Sequence, residues 1–132
     1  VVGDQDLLKK VEPVIVKIAE AADEGLNPDG SMIYENFVSK GKIDRELHWW
    51  VQAENVVGHV NLFQHFGDEE ALQIALRCWN FIQTKLVDKV HGEWHWSLYA
   101  DGTINMKDDK AGFWKCPYHN GRMCMEILER FS

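Results

Sequence analysis

The sequence predicts an all-α fold, a helical toroid of stacked helix pairs with short β-hairpin insertions. Three observations predict it. Apolar residues recur at helical spacing over most of the chain, a Gly-Asp helix-opening signal occurs twice at an offset of 64 residues, and two turn-rich stretches interrupt the helices. A chain of 132 residues suits a single domain with one core.

Each element follows from local pattern. Leu7, Leu8, Val11, Val14, Ile15, Ile18, Ala19 and Ala22 fall on one helical stripe, so about residues 5–23 form an amphipathic helix, in which Pro13 is expected to cause a kink or a restart. Gly25 to about Val38 is non-helical and holds the turn signal Asn27-Pro28-Asp29-Gly30. From about 46 to 66, Trp49, Trp50, Val51, Ala53, Val56, Val57, Val60, Leu62, Phe63 and Phe66 leave no broad polar face, as in a helix buried all round. Leu72, Ala75, Leu76, Trp79, Ile82 and Leu86 give a second clean stripe over about 69–87. From His91 to about Asn105, Trp94, Trp96 and Leu98 alternate with His95 and Ser97 before Asp101-Gly102, the pattern of a hairpin strand. The last helix begins near Pro117, where a missing N–H is tolerated, and runs to the end.

The repeat relates these elements. Gly3-Asp4-Gln5-Asp6-Leu7 matches Gly67-Asp68-Glu69-Glu70-Ala71-Leu72, with Asp as N-cap and Gly closing the helix before. Each copy opens an outer helix that leads through an irregular hairpin to a more buried inner helix. Val1-Val2-Gly3-Asp4 has the form of Phe66-Gly67-Asp68 without the inner helix before it. The expectation is a chain that starts at the end of a truncated inner helix, the C-terminal part of a larger barrel. The apolar faces so exposed would favour self-association.

Charge and composition exclude several classes. A net charge of −7 with no basic stripe argues against nucleic acid as a partner, and the longest apolar runs fall far short of a membrane span. Three cysteines without CxxC spacing, and a start with neither a basic nor a long apolar run, point to free thiols in a cytoplasmic protein. His91, Glu93 and His95 would share a face on a strand, but two His and one Glu without a fourth ligand do not make a metal site, and none is assigned.

The chemistry concentrates at the inner-helix mouths. One carries His48, Trp49 and Trp50, with Glu54 a turn below Trp50; the other carries Trp114, Tyr118, His119 and Arg122. His119 and Arg122, three residues apart, share a helix face near the positive end of the dipole. Stacked units would put both mouths on one rim, where indoles pack on sugar C–H faces and charged groups bond hydroxyls. Glu54 sits on an otherwise apolar helix, so it must be paired or line a cavity.

Three segments together, Glu46-Leu47-His48-Trp49-Trp50-Val51-Gln52-Ala53-Glu54, His91-Gly92-Glu93-Trp94 and Lys110 to Arg122, resemble the N-acylglucosamine 2-epimerase family. Within it, the Trp-Lys-x-Pro-Tyr-His wording of Trp114 to His119 is most similar to the cellobiose 2-epimerase branch. The resemblance runs through nearly all of the chain and corresponds to the last third of a family member. It implies an (α/α)6 barrel and cofactor-free epimerisation of a reducing sugar or disaccharide at C2 through an enediolate, interconverting glucose and mannose units. By matching position, His119 would be one of two acid/base histidines. Trp114 would pack on the sugar, Trp49, Trp50 and Glu54 would line subsites with Tyr118 beside them, and Arg122 would hold the polar network. The family's other histidine, in a His-x-x-Glu motif on the preceding inner helix, and an arginine near its N-terminal end have no match here.

Other readings stay open at this point. The chain could be a carbohydrate-binding or catalytically inactive homologue, an aldose–ketose isomerase using the same enediolate, or a structural helical module whose aromatics are core.

Overall fold

The structure, a computed structural model, describes residues 3–132. Its helices are α1 (Gln5–Asp23), α2 (Trp49–Phe66), α3 (Glu69–Phe81) and α4 (Tyr118–Phe131). A hairpin of β1 (Glu35–Phe37) and β2 (Lys42–Asp44) lies between α1 and α2, with Glu35 opposite Asp44 and Phe37 opposite Lys42. β3 (Leu47–His48) pairs antiparallel with β4 (Ser97–Leu98), Leu47 opposite Leu98 and His48 opposite Ser97. This second ladder joins the two helix–hairpin–helix units through backbone groups far apart in sequence.

The repeated Gly-Asp signal does the same work twice. Asp4 accepts from the backbone N–H groups of Asp6 and Leu7 at 3.0 Å each, and Asp68 accepts from that of Ala71 at 3.0 Å. Gly67, at φ 70, closes α2 in the left-handed conformation that Gly adopts without a Cβ clash. The inner-helix end expected at Val1-Val2 lies outside the described residues.

α1 covers the predicted span but buries none of its residues, and Leu8, Ile15 and Ile18 are all exposed. Pro13 neither ends nor restarts it. The missing N–H deprives only the Lys9 carbonyl of a donor, and Lys9 is exposed to water, which can replace it.

α2 is the centre of the core, which joins Trp49, Ala53, Val56 and Val57 to Cys78, Phe81, Ile82 and Leu86, with Trp94, Leu98 and Met123. It is not buried all round. Trp50, Glu54, Gly58, Asn61 and His65 form a narrow stripe that stays at least partly accessible. A stripe this thin, headed by an indole, is hidden from a hydrophobicity pattern.

The stripe of the third predicted helix changes geometry at its end. α3 passes into a π-helical turn, Ile82–Leu86, in which both named residues are fully buried. The predicted hairpin after it is shorter than its alternation suggested. Only Ser97 and Leu98 are strand, and the turn closes through Tyr99 N–H to Thr103 O at 2.8 Å and Asn105 N–H to Ser97 O at 3.0 Å. Ser97 is buried beside Leu98, because its hydroxyl donates to Glu46 at 3.0 Å and accepts from Asn105 at 3.1 Å.

The Asn27–Gly30 turn packs directly on α3. Gly30 has φ +82, and a Cβ there would lie 2.6 Å from the Cys78 backbone N and 2.7 Å from Arg77 Cβ. Gly30→Ala is therefore expected to destabilise the fold by about 3 kcal/mol, from left-handed strain plus overpacking. Denaturant unfolding monitored by circular dichroism measures it, and an unchanged midpoint would contradict the close approach.

All three cysteines are free. Burial pushes the Cys78 thiol up to about 12. Among the described residues, no helix is long and apolar enough to cross a membrane.

Candidate functional site

α4 starts where the sequence places a proline. Pro117 is the N-cap, at φ −71, and Gly121 N–H donates to its carbonyl at 3.0 Å. His119 and Arg122 follow within the first turns and both face Glu54 of α2. His119 Nδ1 lies 2.7 Å from Glu54 Oε1, and Arg122 Nη2 bonds both carboxylate oxygens. Arg122 Nη1 also donates to Glu126 at 2.6 Å, and Arg130 links Glu126 to Gln64 of α2. The cluster is thus also a polar clamp between α2 and α4.

Its electrostatics follow from these contacts. Partial burial pushes the Glu54 carboxyl upward, but hydrogen bonds from Arg122 and His119, with the charges behind them, outweigh it and hold the group below the usual carboxylate range. The bonds to Glu54 and then Glu126 raise Arg122 above its ordinary value, against a smaller effect of burial. An ionised carboxylate only accepts, so the bond from His119 is Nδ1–H to Glu54, which in a neutral ring puts the lone pair on Nε2. The arrangement is an oriented imidazole backed by an anion.

Aromatic rings surround the imidazole. Trp49 meets it edge-on at 5.4 Å between centroids, Trp50 at 5.7 Å and Tyr118 edge-on at 4.9 Å, while the Arg122 guanidinium sits 5.9 Å from the Tyr118 ring. Trp50 is 37% exposed and can offer a face to a ligand. Trp49 is 2% exposed, which corrects its expected place as a subsite wall: it belongs to the core and supports His119 from behind. The two differ by one residue, and one helical step turns Trp49 inward and Trp50 outward. Trp114 is 81% exposed and packs edge-on against Phe113, at 5.0 Å, on the loop before α4.

One neighbour carries no motif in the sequence. Tyr34 stacks on His48 at 4.0 Å and stands edge-on to Trp50 at 6.2 Å, extending the aromatic row. An isolated aromatic in a turn-rich stretch was its only signal. Burial lowers the pKa of His48, partly countered by Glu46 and Asp44. A groove of about 1120 Å³ opens beside the row, between α1 and α2, with Tyr34, Trp50 and Glu54 in its wall; His119 and Arg122 lie outside that wall.

His91, Glu93 and His95 do not share a strand face. His91 and Glu93 lie on a turn, where His91 pairs with Asp88 and Glu93 with Lys115, and His95 follows the Val87–Trp94 bridge. Among the described residues, no three His, Cys, Asp or Glu side chains form a group that could hold a metal ion.

Comparison with known proteins adds to this geometry. The sequence model of the N-acylglucosamine 2-epimerase (GlcNAc 2-epimerase) family matches residues 3–121. The chain is 62% identical to the cellobiose 2-epimerase of Bacteroides fragilis over 128 residues, 97% of this chain and 33% of that protein. It is 42% identical to the cellobiose 2-epimerase of Ruminococcus albus over 131 residues, 98% of this chain and 33% of that one. Among solved structures, a sugar epimerase from a ruminal bacterium superposes with a TM-score of 0.89 at 41% identity, over 97% of this chain and 33% of its own. The cellobiose 2-epimerase from Bacillus thermoamylovorans superposes at 0.83 and 41%, over 96% and 31%. The chain spans about a third of the length of the relatives it matches.

Proposed function

Because the chain belongs to the N-acylglucosamine 2-epimerase family, we propose that it supplies one side of the acid/base machinery of a sugar 2-epimerase acting on the reducing end of a disaccharide. Its helices and hairpins are a portion of an (α/α)6 barrel. The observation that carries the reading is the 2.7 Å contact of His119 Nδ1 with a Glu54 that Arg122 keeps ionised.

The chemistry needs no redox partner. In the ring-opened aldose, C1 is a carbonyl, and His119 Nε2 removes the C2 proton. The C–H electron pair forms the C1–C2 double bond, and the carbonyl electrons move onto O1 to give an enediolate. Protonation of C2 on the opposite face returns the electrons and inverts the centre, turning a glucose unit into a mannose unit. Imidazole suits both directions because its ordinary pKa lies near neutrality. Glu54 holds the ring in one tautomer and stabilises the imidazolium as it forms. Trp50 and Trp114 offer indole faces to the sugar, with Tyr118 at the mouth. The second acid/base group and the arginine for O1 belong to helices that the family resemblance places before α1.

The test is deuterium exchange. The complete natural chain carrying this sequence, incubated with cellobiose in D2O, is expected to place deuterium at C2 and to yield a product with mannose at the reducing end, both read by NMR. Binding without exchange would leave a carbohydrate-binding homologue, and a ketose product would identify an aldose–ketose isomerase. The 132-residue chain alone is expected to show no turnover, since it supplies a base to one face only. Three free thiols agree with a reducing cytoplasm, and the exposed apolar stripe of α1 is where self-association would occur.

A further inference from the structure

Lys115 is the most unusual side chain outside the His119 cluster. Its side chain is 1% exposed, although it follows two exposed aromatics on a loop. Nζ uses all three donors, to Glu93 Oε1 at 3.0 Å, Trp94 O at 2.7 Å and Lys110 O at 2.6 Å. It also lies 4.8 Å from the centroid of the Trp49 ring. Glu93 Oε1 accepts in addition from Trp94 N–H and Asn120 Nδ2, each at 2.9 Å. Glu93 adopts φ 63, an uncommon left-handed conformation for a side chain of its size.

A buried ammonium is costly, and an apolar residue would fasten this loop at lower cost. What the ion pair adds is direction, for its contacts reach His119 by two routes. The first runs from Lys115 through the Trp49 ring to the imidazole edge, 5.4 Å between centroids. The second runs from Glu93 through Asn120, the residue after His119 in the first turn of α4.

We propose that the ion pair of the buried Lys115 with the half-buried Glu93 is a positioning device for His119, fixing the imidazole against Glu54 by holding Trp49 on one side and Asn120 on the other. The proposal rests on His119 being the base of the epimerase. Neither residue touches the reacting atoms. Burial lowers the Lys115 pKa, and Glu93 partly restores it, as expected of a pair formed within the fold.

The test uses the complete natural chain carrying this sequence and the double variant Lys115→Met/Glu93→Gln, which removes both charges and strands neither. Two quantities are read: kcat and KM for C2 proton exchange, and the His119 ring signal in 1H–13C NMR spectra, assigned by its loss in His119→Asn. A loosened imidazole is expected to lower kcat by about 10–100-fold while KM stays within about threefold, and to shift and broaden the ring signal. If the double variant does not fold, Asn120→Ala is read the same way, since it cuts the link to Glu93 and leaves the ion pair intact. A folded variant with parental kcat and an unchanged sharp signal would overturn the proposal. Failure of the epimerase reading looks different, because the parent would then show no C2 exchange, or His119→Asn would retain it, whatever the Lys115 variants do.

Discussion

Replacing His119 with asparagine is expected to lower C2 proton exchange by about 10³-fold with little loss of stability. Asparagine keeps a short polar side chain next to Glu54 but has no basic nitrogen, so the proton at C2 has no acceptor on this face. His119 is part-buried, and its contacts with Trp49, Trp50 and Tyr118 are at its ring edges and faces rather than in a packed interior. The variant should therefore fold, and sugar binding through Trp50 should survive. Solvent deuterium incorporation at C2 measures the loss directly, and ligand-induced quenching of tryptophan fluorescence reports binding separately. Exchange within tenfold of the parent would rule out His119 as the proton carrier and move the search to the Tyr34–His48 stack.

Glu54→Gln is expected to have an effect of similar size, about 10²–10⁴-fold on kcat, by analogy with other carboxylates that orient an imidazole. Glutamine preserves the volume but can present an N–H to the ring, which allows the wrong tautomer, and it no longer balances the forming imidazolium. It also leaves Arg122 with Glu126 as its remaining anionic partner. Because Glu54 joins α2 to α4, the same change should weaken the fold, and acid titration separates the two effects. The Glu54 carboxyl is held below its ordinary value, so its ion pairs stabilise the native state above the usual carboxylate range and lose that contribution as pH falls through the depressed value. Glu54→Gln should flatten this part of the acid-unfolding curve. A parental acid profile would show that the clamp contributes nothing to stability.

Much of the architecture was legible because its causes are local. The Asp4 and Asp68 caps, the Gly67 stop, the Asn27–Gly30 turn and the proline at the head of α4 each depend on residues a few positions apart, and each lies where the pattern puts it. Pro13 does not restart the helix, and the carbonyl it leaves without a donor belongs to the exposed Lys9. The Ser97 alternation misled because a half-buried Glu46 and a buried Asn105 satisfy the hydroxyl from 51 and 8 residues away. The π-helical turn at Ile82 left no mark in the apolar stripe, which continues through it.

The candidate site divides in the same way. By itself the sequence determined which residues could do the chemistry: an imidazole and a guanidinium on one face of α4, a lone carboxylate on an apolar α2, and indoles at both mouths. Side-chain chemistry and helical spacing are sufficient for that. Only the tertiary structure decided that Glu54 receives both His119 and Arg122, 65 and 68 residues away in the chain. It also decided that Trp49 is core while Trp50 faces out, and that Lys115 lies buried beneath Trp49. The physical reason is that burial and pairing depend on which surfaces α2, α4 and the loop before it turn toward one another. That is settled by the packing of the whole core, and the residues that meet there are not neighbours in sequence.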